Sequence, residues 1–431
     1  MNFRETHKDN KMYYLFLFLS IFSYLIGFFL NENSAGGGSY IGDLKLIWSN
    51  LQIFLNNSLH ESLINENYIA GRTPIAYILH KYINPFTYDL DKFRLSVFFI
   101  SLFLPVLFFL AVNLKYKNDT TGIALFATSI LFLSPFFRTS SYWGLEENYG
   151  LIFLLLTYIF FLKVSSNTSD NHLSFGSTLA ICFFSSLTFY FDQKLLIIPL
   201  ICLIYLLFFS DQNTKKFFSI FLYFLFALPY IYLMNIWGSI IPSNASNRAF
   251  SLEVVNIGYT ITIMAFYVAP FLISEKKSLK NILSNIKSKV NLLILIFIFF
   301  YLISFYFLFD QSIRWASGNG IFYKFSKLFF QDLLFQKIFL IITIFVSSLI
   351  LILFFDKKND RYILSFFLVL SLIVTPVYQE YFDPLMLLII FTFAAKKIEL
   401  NFQKSLFIYS YFAVFLIFSN IYYYNLLYKF Y

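Results

Sequence analysis

Residues 291–309, NLLILIFIFFYLISFYFLF, run from Asn291 to Phe309 without a single charge. As a helix rising 1.5 Å per residue, such a run is long enough to cross most of a hydrocarbon layer about 30 Å thick. Runs of this kind recur along the chain, which is 59% apolar and 23% aromatic with 13% charged residues. They are continuous rather than alternating, so every backbone group has to be satisfied within its own segment, which requires helices and excludes a barrel. The sequence therefore predicts an all-α, polytopic transmembrane bundle forming a single domain over 1–431. Hydropathy gives about thirteen spans, near 13–30, 95–114, 121–137, 149–162, 174–190, 195–210, 217–236, 254–273, 291–309, 338–355, 362–377, 385–395 and 405–428.

The net charge of +9 follows from topology. With the amino terminus inside, the short connections near 115–120, 211–216, 274–290, 356–361 and 396–404 fall on one side, and they carry most of the loop lysines. These lysines are spread over separate loops rather than gathered into one face, so nucleic acid is not implied as a partner. The acids lean the other way, with Asp43, Glu61, Glu66, Glu146, Glu147, Glu380 and Asp383 among those on the outer side. Cys182 and Cys202 lie inside apolar runs, and the four histidines have no ligand spacing, so neither a disulfide nor a zinc site is suggested. The first run exceeds the length of a signal-peptide core and reads as an uncleaved anchor. Heavy use of Phe, Ile, Asn, Lys and Tyr fits an AT-rich genome and hence a bacterial cytoplasmic membrane.

The longest polar connection, 31–94, holds two amphipathic helical patterns. One is striped by Leu44, Ile47, Trp48, Leu51, Phe54 and Leu55, with Asp43 as its N-cap. The other is striped by Ile75, Ile78, Leu79, Tyr82 and Ile83, with Thr73 as N-cap and Pro74 at the first helical position. Neither is long enough to span, and both are expected to lie on the outer leaflet against membrane lipids. The glycines of GGGSYIGD leave the backbone before Asp43 free for a close approach.

Between two apolar runs lies RTSSYWGLEENY, Arg138 to Tyr149, in a connection short enough to hold its charges at the membrane surface. An arginine or carboxylate at the bilayer centre costs roughly 2.5–3.5 kcal/mol on insertion scales, so Arg138, Glu146 and Glu147 are expected at the water boundary. The longer stretch SPFFRTSSYWGLEENYGLIFLLL, together with the long first outer loop, resembles the second outer loop of GT-C membrane glycosyltransferases, as in oligosaccharyltransferase catalytic subunits. The triplet here is Glu146, Glu147, Asn148, lacking that family's final acid. The segment TPVYQEYFDPLMLL, with Gln379, Glu380 and Asp383, is similar to the late outer loop of a dolichol-pathway glucosyltransferase.

The resemblance implies transfer of a sugar from a polyprenyl-phosphate donor to a glycan or lipid-linked acceptor, with inversion, on the outer face. It implies Asp43 as catalytic base, with Glu61 and Glu66 as fallbacks. For the donor phosphate, a guanidinium at the membrane boundary offers paired N–H groups, which points to Arg138, with Arg314 and Lys194 behind it. Glu146, Glu147 and Asn148 could bind acceptor hydroxyls or hold a divalent metal, Mg or Mn, and the residues alone do not choose. A lipid-linked glycan flippase or transporter, and a polysaccharide polymerase with a diphosphate-linked donor, are the competing readings.

Overall fold

The computed structural model describes residues 3–36, 38–40, 42–70, 72–116, 121–166, 174–209, 213–240, 253–274, 289–309, 318–373 and 377–427, and among them there is no strand. The all-α expectation holds, but the number of crossings does not. Among the described residues seven helices are long and apolar enough to cross a membrane: Lys11–Phe29, Leu90–Tyr116, Asn213–Trp237, Val255–Ile273, Asn291–Leu308, Leu333–Phe354 and Phe402–Tyr424. An eighth exists only if Thr121–Phe132 and Pro135–Tyr142, bent by 64° at their junction, count as one span.

Thirteen was an overcount because hydropathy alone treats every apolar run as one straight lipid-crossing helix. Phe175–Phe191 and Gln193–Phe208 are apolar but shorter than any of the seven. The run near 385–395 contains a helix of only seven residues, Leu385–Phe391, buried along its whole length. Helices Glu147–Ser166 and Lys358–Ile373 open on charged residues and are not among the seven. Apolar residues in these segments fill protein interior as well as facing lipid.

The chain divides into two compact units. The first comprises Tyr13–Arg248 with Phe418–Tyr431. Its helices are α1 (Phe3–Phe29, which enters this unit at Tyr13), α2 (Asp43–Asn56), α3 (Leu59–Ile64), α4 (Ile75–Ile83), α5 (Leu90–Ser101), α6 (Phe103–Tyr116), α7 (Thr121–Phe132), α8 (Pro135–Tyr142), α9 (Glu147–Ser166), α10 (Phe175–Phe191), α11 (Ile197–Phe209) and α12 (Asn213–Trp237). The second comprises Met1–Met12 with Ala249–Ile417 and is built around α13 (Val255–Ile273), which packs on Leu333–Phe354 and Lys358–Ile373.

The 31–94 connection folds much as its periodicity suggests, with two differences. Gly42 occupies the N-cap of α2, and Asp43 sits in the first turn, where a carboxylate favours the helix dipole. Pro74 is the N-cap of α4, and the Thr73 hydroxyl instead donates to the Tyr190 carbonyl. On α4 the buried residues are Ala76, Tyr77 and His80, while Leu79, Tyr82 and Ile83 of the apolar stripe face outward. Polar side chains turned inward and apolar ones outward suit a surface that meets lipid rather than water. The expected backbone approach at the glycines occurs against protein. A Cβ at Gly38 would overlap the Trp143 ring and Thr139, so the loop after α1 lies directly on α8.

Candidate functional site

The turn between α8 and α9 is set by its own sequence. Ser134 caps α8, its hydroxyl accepting the Phe137 N–H at 3.1 Å, and Pro135 opens the helix. Gly144 takes φ +76°, a left-handed conformation open to glycine, and a Cβ there would sit 3.4 Å from Leu44 of α2 and 3.2 Å from Phe93 of α5. The chain then enters α9 with Glu146 just ahead of the helix and Glu147 at its first position, both buried. Asn148 points the other way. Its Nδ2 donates to Ser141 Oγ at 3.0 Å, Ser101 Oγ at 3.2 Å and the Phe137 carbonyl at 3.3 Å, fastening α9 to α8 and α5.

Around the two glutamates gather residues from distant parts of the same unit. The Arg72 guanidinium, just before α4, forms an ion pair with Glu147. Tyr77 of α4 brings its hydroxyl within hydrogen-bonding reach of Glu146. Asp192 follows α10, pairs with Lys194 at 3.3 Å, and closes against α9 because Gly150 leaves room for its Cβ. Among the described residues Glu147 is the one hydrogen-bond partner of Arg72, and one oxygen of each glutamate, Oε2, is buried without a partner.

The shared environment splits the two acids. Burial pushes the Glu146 carboxyl up to about 7; Arg72 pulls it back only in part, and the neighbouring Glu147 charge adds to the rise. Burial acts on Glu147 in the same direction, but the charge and hydrogen bond of Arg72, with Lys194 behind, outweigh it and hold Glu147 below the usual carboxylate range. Burial opposes the charge on Arg72, yet Glu147, Asp192 and Glu146 hold the guanidinium firmly protonated. At neutral pH the pair thus contains one fixed carboxylate and one poised to gain or lose a proton, a pattern that separates acid and base roles in active sites. His80, buried against Phe93 with Tyr149 Oη at 3.1 Å from Nε2, is pushed by burial down to about 4 and is neutral here.

Arg138 is elsewhere in this unit and differently used. It is not at a water boundary but 1% exposed, and all five of its N–H groups have acceptors. Nε and Nη2 grip the Glu32 carboxylate, Nη1 reaches Ser23 Oγ at 3.2 Å and the Phe132 carbonyl at 3.3 Å, and Nη2 also donates to the Ser23 carbonyl at 2.8 Å. A phosphate at Arg138 would have to displace Glu32. Glu146 and Glu147 likewise leave water for protein, and in every case the physical reason is the same: a partner of opposite charge or a shifted proton replaces hydration.

The remaining expected site residues are dispersed. Asp43 heads α2, and its neighbour Leu44 packs on Gly144, two residues before Glu146. Glu61 completes a capping box with Ser58, accepting its N–H at 2.9 Å, and Glu66 is exposed. In the second unit, Gln379 accepts the Ile321 N–H at 3.0 Å and so caps helix Gly320–Phe329, while Lys324 of that helix faces Glu380. Burial brings the Lys324 ammonium down to about 8, with Glu380 partly offsetting the shift. Asp383 is buried just before Pro384 and helix Leu385–Phe391. Arg314 lies outside the described residues. Sequence reasoning missed Arg72, Tyr77, Asp192 and Glu32; the one available signal was that each arginine beside an apolar run needs an acid.

Among the described residues no group of three or more His, Cys, Asp or Glu side chains is placed to hold a metal ion. No protein-family model matches the chain, and neither a curated protein nor a solved structure matches it.

Proposed function

We propose that this integral, multi-pass membrane protein is a GT-C-like glycosyltransferase that moves a sugar from a polyprenyl-phosphate donor to a glycan or lipid-linked acceptor at the outer face of the membrane. The observation that carries the reading is the buried Glu146–Glu147 pair with its ionisation split beside Arg72. In an inverting displacement, the acceptor oxygen attacks the anomeric carbon while its proton passes to a carboxylate and the C–O bond to the lipid phosphate breaks. Glu146 is the base, because its carboxyl exchanges a proton near neutrality. Arg72, partly open, with Lys194 behind it, receives the departing phosphate through charge-assisted hydrogen bonds in surroundings of low dielectric. Asp43, one residue from the Leu44 contact with Gly144, is the second carboxylate to test as base.

Purified protein incubated with a panel of polyprenyl-phosphate sugars is expected to release free lipid phosphate. Below about 7 Glu146 holds its proton, so kcat/KM is expected to rise with pH through that value and level off above it. Glu146→Gln is expected to reduce release by at least about 100-fold, in line with loss of a general base. Consumption of no donor in the panel by the native protein would end the proposal, and full activity in Glu146→Gln would move the base to Asp43.

A second reading has its own support. Titratable groups buried among helices, as Glu146 is, also serve proton-coupled carriers. A flippase or transporter of lipid-linked glycans would translocate the lipid phosphate in proteoliposomes, with proton uptake and without cleaving the sugar.

A further inference from the structure

We propose that Asn50 is a positioning residue for this site, fixing the Tyr77 hydroxyl so that its proton is directed at Glu146. The inference deepens the reading of Glu146 as base and rests on it for its catalytic meaning. Asn50 is fully buried on α2. Its Oδ1 accepts the Ile69 N–H at 3.2 Å and its Nδ2 donates to the Ile69 carbonyl at 2.9 Å. That double bond to one residue leaves the amide a single sensible orientation, oxygen toward the N–H and nitrogen toward the carbonyl.

The same Nδ2 lies 3.4 Å from Tyr77 Oη, so at that contact Asn50 can only donate. A hydroxyl that receives a hydrogen bond on its oxygen keeps its one proton to give elsewhere, and the acceptor within reach is Glu146. The ring has little freedom to turn away. Phe54 stacks on it at 5.5 Å and Tyr68 meets it edge-on at 6.1 Å. Asn50 also pins Ile69, three residues before Arg72, so one amide steadies both the proton-exchanging acid and the segment leading to the guanidinium.

The other titratable or charged groups facing Glu146 are Arg72, Glu147 and Asp192, with Tyr68 and Tyr149 as neutral phenols. The Tyr77 hydroxyl within reach favours the charged carboxylate, so removing it raises the pH at which Glu146 loses its proton.

The test uses the full chain in detergent or proteoliposomes, with Tyr77→Phe, Asn50→Leu and the double variant. Two readouts are taken: the acidic limb of kcat/KM, and an infrared titration of isotope-labelled glutamate carboxyls in which the band lost in Glu146→Gln identifies the residue. Tyr77→Phe is expected to move both midpoints upward by about one pH unit. Asn50→Leu is expected to move them the same way by less, and to add nothing in the Tyr77→Phe background, because it acts through that hydroxyl. An unmoved midpoint in Tyr77→Phe overturns the proposal, as does an Asn50→Leu shift that persists without the hydroxyl. The infrared measurement does not depend on turnover, so it decides the positioning role even if no sugar donor is consumed.

Discussion

Two arginines in the same unit each hold a glutamate, and they differ in what they have left to give. Arg138 is 1% exposed and its five N–H groups are all engaged, by Glu32, Ser23 and Phe132. Arg72 is 27% exposed and bonds Glu147 alone among the described residues. A guanidinium with every donor satisfied by its own protein is part of the fold; one with open donors, next to an acid poised near neutrality, can take a ligand. Residue type and ion-pair partner are alike in the two cases. The count of unspent hydrogen bonds separates them.

The largest effect should come from breaking the saturated pair. α1 is pressed against it so closely that Gly27 leaves no room for a Cβ between Glu32, Arg138 and Tyr142. Arg138→Ala is expected to cost about 3–5 kcal/mol, since it abandons the Glu32 carboxylate inside the protein and removes at once the five hydrogen bonds to Glu32, Ser23 and Phe132. Denaturant unfolding in micelles measures this. A variant that keeps native stability but loses affinity for a short-chain polyprenyl-phosphate sugar would reverse the assignment and make Arg138 the ligand-binding arginine after all.

That reversal matters because the sequence alone favours Arg138. It stands in RTSSYWGLEENY beside the two glutamates, whereas Glu32 is separated from it by 106 residues and Arg72 from Glu147 by 75. Proximity along the chain is visible in a sequence; pairing across it is not. Glu146 and Glu147 were legible because carboxylates flanked by apolar runs require a compensating device. Tyr77 and Asn50 were not, since both fall within amphipathic patterns where a tyrosine or asparagine excites no attention. The same limit applies to the fold. Helix and membrane were readable from continuous apolar runs, but the 64° bend before Pro135 and the burial of the whole of Leu385–Phe391 depend on what the segments pack against.

Opening the unsaturated pair should matter for chemistry more than for folding. Arg72→Lys keeps a positive charge near Glu147 but loses the planar fork that matches a phosphate. We expect lipid-phosphate release to fall by about 10- to 100-fold while stability drops by no more than about 1 kcal/mol, the range for a partly solvated ion pair. Turnover under saturating donor and thermal unfolding, read on one preparation, give both values. A stability loss as large as that of Arg138→Ala would make the two arginines equivalent and remove the reason for choosing Arg72.

The smallest effect sharpens the contrast from the saturated side. Ser23→Ala deletes one side-chain acceptor, at 3.2 Å from Arg138 Nη1, while the Ser23 and Phe132 carbonyls and both Glu32 oxygens remain. Nη1 keeps the Phe132 carbonyl, so the deletion leaves one of its two N–H groups without an acceptor while the charge stays paired with Glu32. The expected cost is about 1 kcal/mol, with the acidic limb of kcat/KM unmoved because Ser23 has no part in the field around Glu146. Denaturant midpoints and a pH profile on the same variant test both halves. A shifted pH profile would mean that the two arginine sites are coupled, and the division between a structural and a chemical guanidinium would then have to be replaced by one network spanning both.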